Sequence, residues 1–149
     1  MLIRVVKLED IECNKLAIKK YLKEILNISI NEGLEEKINE VLANMKKFII
    51  DGTAKIIGAF NENEMIGFIW AYLIMKDTYH INYFCVDKTY RKIGVGQKLL
   101  DAIYDLANDQ KIKKIELIVD SSNYEAIKKY EKNDFKKEKI KMIKCMEKK

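Results

Sequence analysis

Apolar residues recur at three- and four-residue steps in the first third of this chain and as short runs in the middle. Ile11, Leu16, Ile18, Tyr21, Leu22, Ile25 and Leu26 fit one face of a helix led by Glu9 and Asp10. Leu34, Ile38, Val41, Leu42 and Met45 fit a second helix, with Asn31 or Gly33 near its start and a break over residues 27–31 between the two. Leu2 to Val6 reads as an opening strand, and Asp51-Gly52 as a turn. Residues 54–60 and 65–75 predict two strands joined by Asn61-Glu62-Asn63-Glu64 as an antiparallel hairpin. A third strand, 79–86, follows through Lys76-Asp77-Thr78. Val95, Leu99, Leu100, Ile103 and Leu106 then share a helical face. Residues 114–119 read as a strand, 123–132 as a short helix, and 135–146 as late strands. The order is β-α-α-β-β-β-α-β-α-β(β), without repeat, linker or low-complexity tract. One domain over residues 1–149 is expected.

Chemistry concentrates where the third strand meets the following helix. The run Tyr79-His80-Ile81-Asn82-Tyr83-Phe84-Cys85-Val86 leads through Asp87-Lys88-Thr89-Tyr90 into Arg91-Lys92-Ile93-Gly94-Val95-Gly96. A strand, a glycine-rich turn and a helix bind phosphate: amides at the helix N-terminus converge on an anion and the dipole favours negative charge there. Spacing excludes two kinds of phosphate loop. Gly96 is followed by Gln97-Lys98-Leu99, not the Lys-Ser/Thr of a nucleotide-triphosphate loop. Leu99 stands where a dinucleotide fingerprint needs its third glycine, although Glu116 and Asp120 lie near the distance of that motif's acidic residue. What remains is Arg-x-x-Gly-x-Gly.

That pattern resembles the acetyl-CoA loop of the GNAT superfamily of N-acetyltransferases. The resemblance extends downstream, covering roughly residues 64–146. After the strand Ile115-Glu116-Leu117-Ile118-Val119, the residues Asn123, Ala126, Tyr130 and Phe135 match the family's spacing, and Asp134 stands where glycine is usual. Asp tolerates the left-handed conformation such a turn requires. The implied fold is α+β, a three-layer α/β arrangement with a mixed, mostly antiparallel sheet of six to seven strands flanked by about four helices.

The resemblance also implies roles. The turn Arg91, Lys92, Ile93, Gly94, Val95, Gly96, with the Gln97 amide, would hold the pyrophosphate of acetyl-CoA. The pantetheine arm would pair like an added strand with the backbone around Phe84, Cys85 and Val86. Tyr130 would donate a proton to the departing thiolate, or is a core tyrosine beside Ile127. Asn123 would bond the cofactor arm or cap its helix. His80, the single histidine, sits where related histone-type enzymes carry a glutamate; it is a base for the amine or a polar surface residue. Alternation puts 80, 82, 84 and 86 on one strand face. Ile118 stands where relatives that acetylate protein N-termini often have glutamate, which counts against that acceptor. The function implied is acetyl transfer from acetyl-CoA to a primary amine of a small molecule, peptide or protein. The alternative is a catalytically degenerate CoA-binding sensor or scaffold, for which Tyr130 would have little use.

Composition narrows the setting. The chain has 26 Lys but only two Arg, Arg4 and Arg91, so the arginine that opens the loop points to a need for a planar fork. Three cysteines, Cys13, Cys85 and Cys145, have no metal-ligand spacing, and no metal is expected. Cys85 reads as a buried small hydrophobe. No apolar run is long enough for a membrane span and the N-terminus lacks a signal-peptide pattern, so a cytoplasmic protein is expected. The net charge of +5 is modest; lysines crowd residues 128–149, which reads as a solvated face on a helix and a late strand, and aromatic or Arg interleaving is thin, which argues against a nucleic-acid surface. Whether it forms a homodimer is left open.

Overall fold

The structure, a computed structural model, describes residues 1–26 and 32–147; the expected break at 27–31 and the cap at Asn31 lie outside the described residues. The chain divides into two compact units, Met1–Leu117 and Ile118–Lys149. The first holds β1 (Leu2–Val5), α1 (Leu8–Cys13), α2 (Lys15–Leu26), α3 (Leu34–Asp51), β2 (Ala54–Asn61), β3 (Glu64–Ile74), β4 (Thr78–Val86), α4 (Val95–Asp109) and β5 (Lys114–Glu116). The second holds α5 (Tyr124–Lys132). The sheet runs β1-β2-β3-β4-β5. Every pair is antiparallel except β4 with β5, which is parallel. A parallel pair needs a crossover, and α4 is that crossover.

The mixed, mostly antiparallel sheet is as expected, but among the described residues it has five strands, with four helices in the first unit and one in the second. The difference lies at the two ends. Residues 133–147 carry no strand, although they alternate lysine with Ile140, Met142 and Ile143, which are exposed. Alternation makes a strand only where a neighbour takes up its amides and carbonyls. The first predicted helix is split in two at Asn14. The Asn14 side-chain carbonyl accepts the Met65 amide at 2.9 Å while its Nδ2 donates to the Asp10 carbonyl at 3.0 Å. This buried asparagine joins the helix break to the first residues of β3.

Two apolar faces of the sheet are covered within the first unit. Ile18, Leu22, Val41 and Met45 of α2 and α3 pack with Ile56, Phe60, Phe68 and Trp70. Leu99, Leu100, Ile103 and Ala107 of α4 are buried, and the Leu99 side chain reaches the position a Cβ on Gly67 would take. That position is also 2.8 Å from the Cys85 carbonyl, so glycine is what lets β3 and β4 meet closely at this point.

β4 departs from plain alternation. Trp70 pairs with Tyr83 and Ala71 with Ile81, leaving Asn82 as an extra residue in a β-bulge. The bulge reverses the side-chain parity. His80, Tyr83 and Cys85 stand opposite Tyr72, Trp70 and Phe68, on the α2–α3 face. Tyr79, Ile81, Phe84 and Val86 stand opposite Leu73, Ala71, Ile69 and Gly67 on the other face. The expectation that residues 80, 82, 84 and 86 share a face is therefore corrected: His80 and Phe84 point to opposite sides.

The start of the chain is tied down by one of its two arginines. Arg4 donates to both carboxylate oxygens of Asp10, at 2.6 and 2.8 Å, and lies 4.0 Å over the Phe60 ring. Asp10 also accepts the Lys7 amide at 2.7 Å. The Arg4 guanidinium holds the Asp10 carboxyl below its usual range. A group whose folded pKa is depressed contributes stability above its unfolded pKa and loses it as pH falls through the folded one. Asp10→Asn should cost on the order of 1–2 kcal/mol at about pH 7, a deficit that narrows below about pH 4. Urea unfolding at both ends of that range checks this; an equal deficit at acid and neutral pH would mean that the carboxylate charge does not hold this corner.

Candidate active site

The turn after β4 is built by an acid the sequence reading passed over. Asp87 accepts the Thr89 amide at 2.9 Å and so caps a 3-10 turn over Lys88–Tyr90. Its own amide donates to the Ile66 carbonyl at 2.7 Å. The Tyr21 hydroxyl lies 2.8 Å from the Met65 carbonyl and 3.1 Å from Asp87 Oδ2, sharing its proton between β3 and the turn. The Thr89 amide keeps the Asp87 carboxyl below its usual range, and burial, with Asp87 beside it, pushes the Tyr21 phenol up. An Asp two residues ahead of a Thr after a strand is a turn signal in itself. Nothing local in the sequence announces Tyr21, which lies 66 residues away.

Arg91 follows with extended backbone. Its Nε donates to the Val86 carbonyl at 2.8 Å and one terminal nitrogen to Glu24 at 2.9 Å. The fork thus spans the end of β4 and helix α2, and Lys88 Nζ is 3.9 Å from the same glutamate. Guanidinium carries five donors in a plane, so two bonds leave others for a ligand. Both arginines of the chain therefore serve as forks, Arg4 on a carboxylate and Arg91 on a carbonyl and a carboxylate.

The turn closes through left-handed backbone. Lys92 has φ +66° and Gly94 φ +92°, and Gly94 is the N-cap of α4. The first helical bond runs from the Lys98 amide to the Gly94 carbonyl at 3.1 Å. The amides of Val95 and Gly96 come ahead of it, where a helix supplies no carbonyl to receive them. Val95 and Gly96 are buried, so the helix start is rigid, and open space surrounds the point where a Gly94 Cβ would stand. Successive amides in a turn of alternating hand form a concave anion site, backed here by the positive end of α4. Gln97 directs its side-chain amide to Asp101 at 2.9 Å.

Beside this turn the sheet parts. β5 pairs with β4 only at Thr78, Tyr79 and His80, and the last pair is His80 with Glu116. His80 Nδ1 lies 2.8 Å from the Glu116 carboxylate, and the imidazole is mostly buried, its ring 5.3 Å from that of Tyr72. It is not a loose surface residue. Glu116 is a partner the sequence did not single out for this role. Phe84 and Val86 follow on β4, beyond the end of the ladder with β5. Cys85 packs against the core, and burial pushes its thiol up to about 12, so it stays protonated and unreactive.

A cavity of about 890 Å³ opens next to the bulge, lined by Asn82, Tyr83, Trp70 and Tyr72 from the sheet and by Val41 and Phe48 from α3. The structure thus brings His80, Phe84, Cys85, Val86 and the residues from Arg91 to Gln97 onto one continuous strand–turn–helix in the first unit. Asn123 and Tyr130 belong to the second. There Asn123 caps α5, its side-chain oxygen accepting the Ala126 amide at 3.3 Å. Tyr130 packs edge-on against Phe135 with ring centroids 5.5 Å apart. Burial raises its phenol pKa, so the hydroxyl keeps its proton at neutral pH. Asp134 takes φ +67°, the left-handed conformation expected where relatives carry glycine.

The chain matches the Acetyltransferase (GNAT) family over residues 19–135 and belongs to that family. Its fold is similar to that of the PaiA N-acetyltransferase from Thermoplasma acidophilum in complex with coenzyme A: 23% identity, TM-score 0.80, covering 94% of this chain and 92% of that one. It is also similar to a putative acetyltransferase from Pyrococcus furiosus, at 26% identity and TM-score 0.76, covering 97% and 100%. An aminoglycoside acetyltransferase from an uncultured soil metagenomic sample, in complex with sisomicin, shares the fold at 13% identity and TM-score 0.73, covering 98% and 96%. No curated protein matches the chain in sequence.

Two of the left-handed positions, Gly94 and Asp134, yield contrasting predictions. Gly94→Ala meets open space but must hold φ +92°, and should cost on the order of 1 kcal/mol. Asp134→Gly relieves a left-handed Asp and should be neutral or stabilising by up to about 1 kcal/mol. Denaturant midpoints of the two variants check both; a stabilised Gly94→Ala would contradict the turn geometry.

Proposed function

We propose that this chain is one catalytic domain that transfers an acetyl group from acetyl-CoA to a primary amine, as a cytoplasmic enzyme. The observation that carries the reading is the turn from Arg91 to Gly96, with its two left-handed residues and the α4 amides behind them. It fits a pyrophosphate in shape and charge. Among the described residues no helix is long and apolar enough to cross a membrane.

In this proposal the amides of Val95, Gly96 and Gln97, with Arg91 and Lys92, hold the pyrophosphate. Backbone groups of Phe84 and Val86 receive the pantetheine arm along the stretch of β4 beyond the β5 ladder, and Cys85 between them fixes that stretch by packing into the core. Ile93 rides on the exposed outer side of the turn. His80 takes a proton from the ammonium so that the nitrogen can attack the thioester carbon. Its Nδ1 faces Glu116, which leaves Nε2 as the accepting nitrogen and gives Glu116 the role of orienting the ring. Tyr130 donates a proton to the sulfur as the carbon–sulfur bond breaks, which a phenol kept protonated by burial is suited to do. Asn123 starts the helix that carries Tyr130 and lends its remaining amide to the arm.

Millimolar CoA should raise the melting temperature by several degrees, since a ligand that binds only the folded state stabilises it. Gly96→Asp puts a carboxylate where the pyrophosphate would lie and should abolish the shift. A wild-type protein that ignores CoA would refute the proposal. Tyr130→Phe should lower the single-turnover rate by about 10- to 10³-fold and leave CoA affinity near wild type. His80→Gln should lower kcat/KM by about 10²-fold near neutral pH, with the deficit shrinking as pH approaches the pKa of the amine itself. An unchanged pH–rate profile would remove His80 from the proton path.

A further inference from the structure

The cavity beside the bulge has a one-sided chemistry. Its aromatic wall is continuous: Phe48 to Trp70 is 6.3 Å between ring centroids and Trp70 to Tyr83 is 5.6 Å. Tyr72 extends it on the same sheet face, and burial raises the phenol pKa of Tyr83, so its hydroxyl remains a neutral hydrogen-bond donor. Three lysines, Lys37, Lys55 and Lys76, line the cavity, and no Asp or Glu does so among the described residues. The acids nearby each have a partner, and one of them, Glu40, is paired with a lysine of the cavity itself. Glu40 sits 3.5 Å from Lys37, Asp51 accepts the Thr53 amide and hydroxyl, Asp77 accepts the Thr78 hydroxyl, and Glu116 holds His80. One further group asks for an oxygen. The indole N–H of Trp70 is buried, with the residue 3% exposed, and has no hydrogen-bond partner among the described residues. A buried indole N–H ordinarily finds an acceptor.

We infer that the cavity takes, as acceptor, an amine that carries a carboxylate on an aromatic body, and that it rejects polycationic amines. This rests on the acetyl-transfer reading above. The volume of about 890 Å³ suits a small molecule. The aromatic wall takes the ring, and one ammonium is tolerated beside it. The lysines attract the carboxylate and repel additional positive charge, for which the cavity offers no counter-ion. A polyamine or an aminoglycoside would bring several ammonium groups into a site lined by three lysines and, among the described residues, by no carboxylate.

Trp70 is the single tryptophan of the chain, so its emission reports on the cavity without any need for catalysis. The probes are phenylalanine, phenethylamine and spermidine, which are transparent where indole is excited. Phenylalanine should change Trp70 emission with a Kd at least 10-fold below that of phenethylamine, and spermidine should leave the emission unchanged. The kcat/KM for acetylation should follow the same order. Replacing Lys37, Lys55 and Lys76 together by Gln should erase the preference for phenylalanine over phenethylamine, while the CoA-induced rise in melting temperature persists. Equal or tighter binding of phenethylamine or spermidine would overturn the inference, as would no response to any probe, or a preference that survives loss of the lysines. If the preference appears but CoA gives no thermal shift, the acetyl-transfer reading fails and the ligand class of the cavity stands.

Discussion

One extra residue in β4 governs how the sheet serves the site. With Asn82 inserted, the strand pairs with β3 along its whole length, yet its side chains change sides halfway. Without the bulge, Tyr83 and Cys85 would leave the α2–α3 face and Phe84 would replace them there. That would move apolar side chains between two different packed faces, which a close-packed core resists. The bulge also aims Asn82 and Tyr83 at the cavity wall, two residues ahead of the place where the resemblance puts the thioester arm. Just before it, the parallel ladder with β5 ends at His80 and Glu116. β4 thus stays paired with β3 across the bulge, while among the described residues its ladder with β5 stops at His80.

Rigidity of the turn after β4 comes from long-range bonds. Its entry is held by Asp87, which ties to Tyr21 on α2 and to the Ile66 carbonyl on β3. Arg91 fastens the next residues to Glu24 and to the end of β4. The left-handed Lys92 and Gly94 then turn the chain into a helix whose first residues are buried. A site pre-shaped in this way loses little freedom when an anion arrives. The same bonds put a carboxylate, Glu24, on the arginine that a phosphate would also engage, so binding there must share or replace that partner.

Much of the architecture was legible because it rests on local signals. The helical face through Leu99 and Ile103, the hairpin around Asn61–Glu64 and the Gly94 turn all stand close to where spacing and turn residues put them. Asp134 adopts the left-handed conformation that its place in the family pattern demanded. The misses share another cause: each depends on a partner far along the chain. Asn14 divides a helix whose periodicity continues through it, because Met65 on another strand needs an acceptor. The bulge at Asn82 lies in a run that reads as uniform strand, and only the pairing with β3 reveals it. Glu116 matters through a histidine 36 residues earlier. Residues 135–146 show the converse, an alternating pattern without a ladder. The Arg91–Gly96 turn was readable from its glycines; the bonds that brace it and the face that His80 occupies were not.

If the α4 amides and the β4 edge receive acetyl-CoA as proposed, backbone amide resonances followed during CoA titration will register it residue by residue. The signals of Gly94, Val95, Gly96 and Gln97, together with Phe84 and Val86, should shift to saturation with one common affinity. Those of α3 away from the cavity should remain in place. Saturable binding that leaves residues 94–97 unmoved and shifts another surface would contradict it.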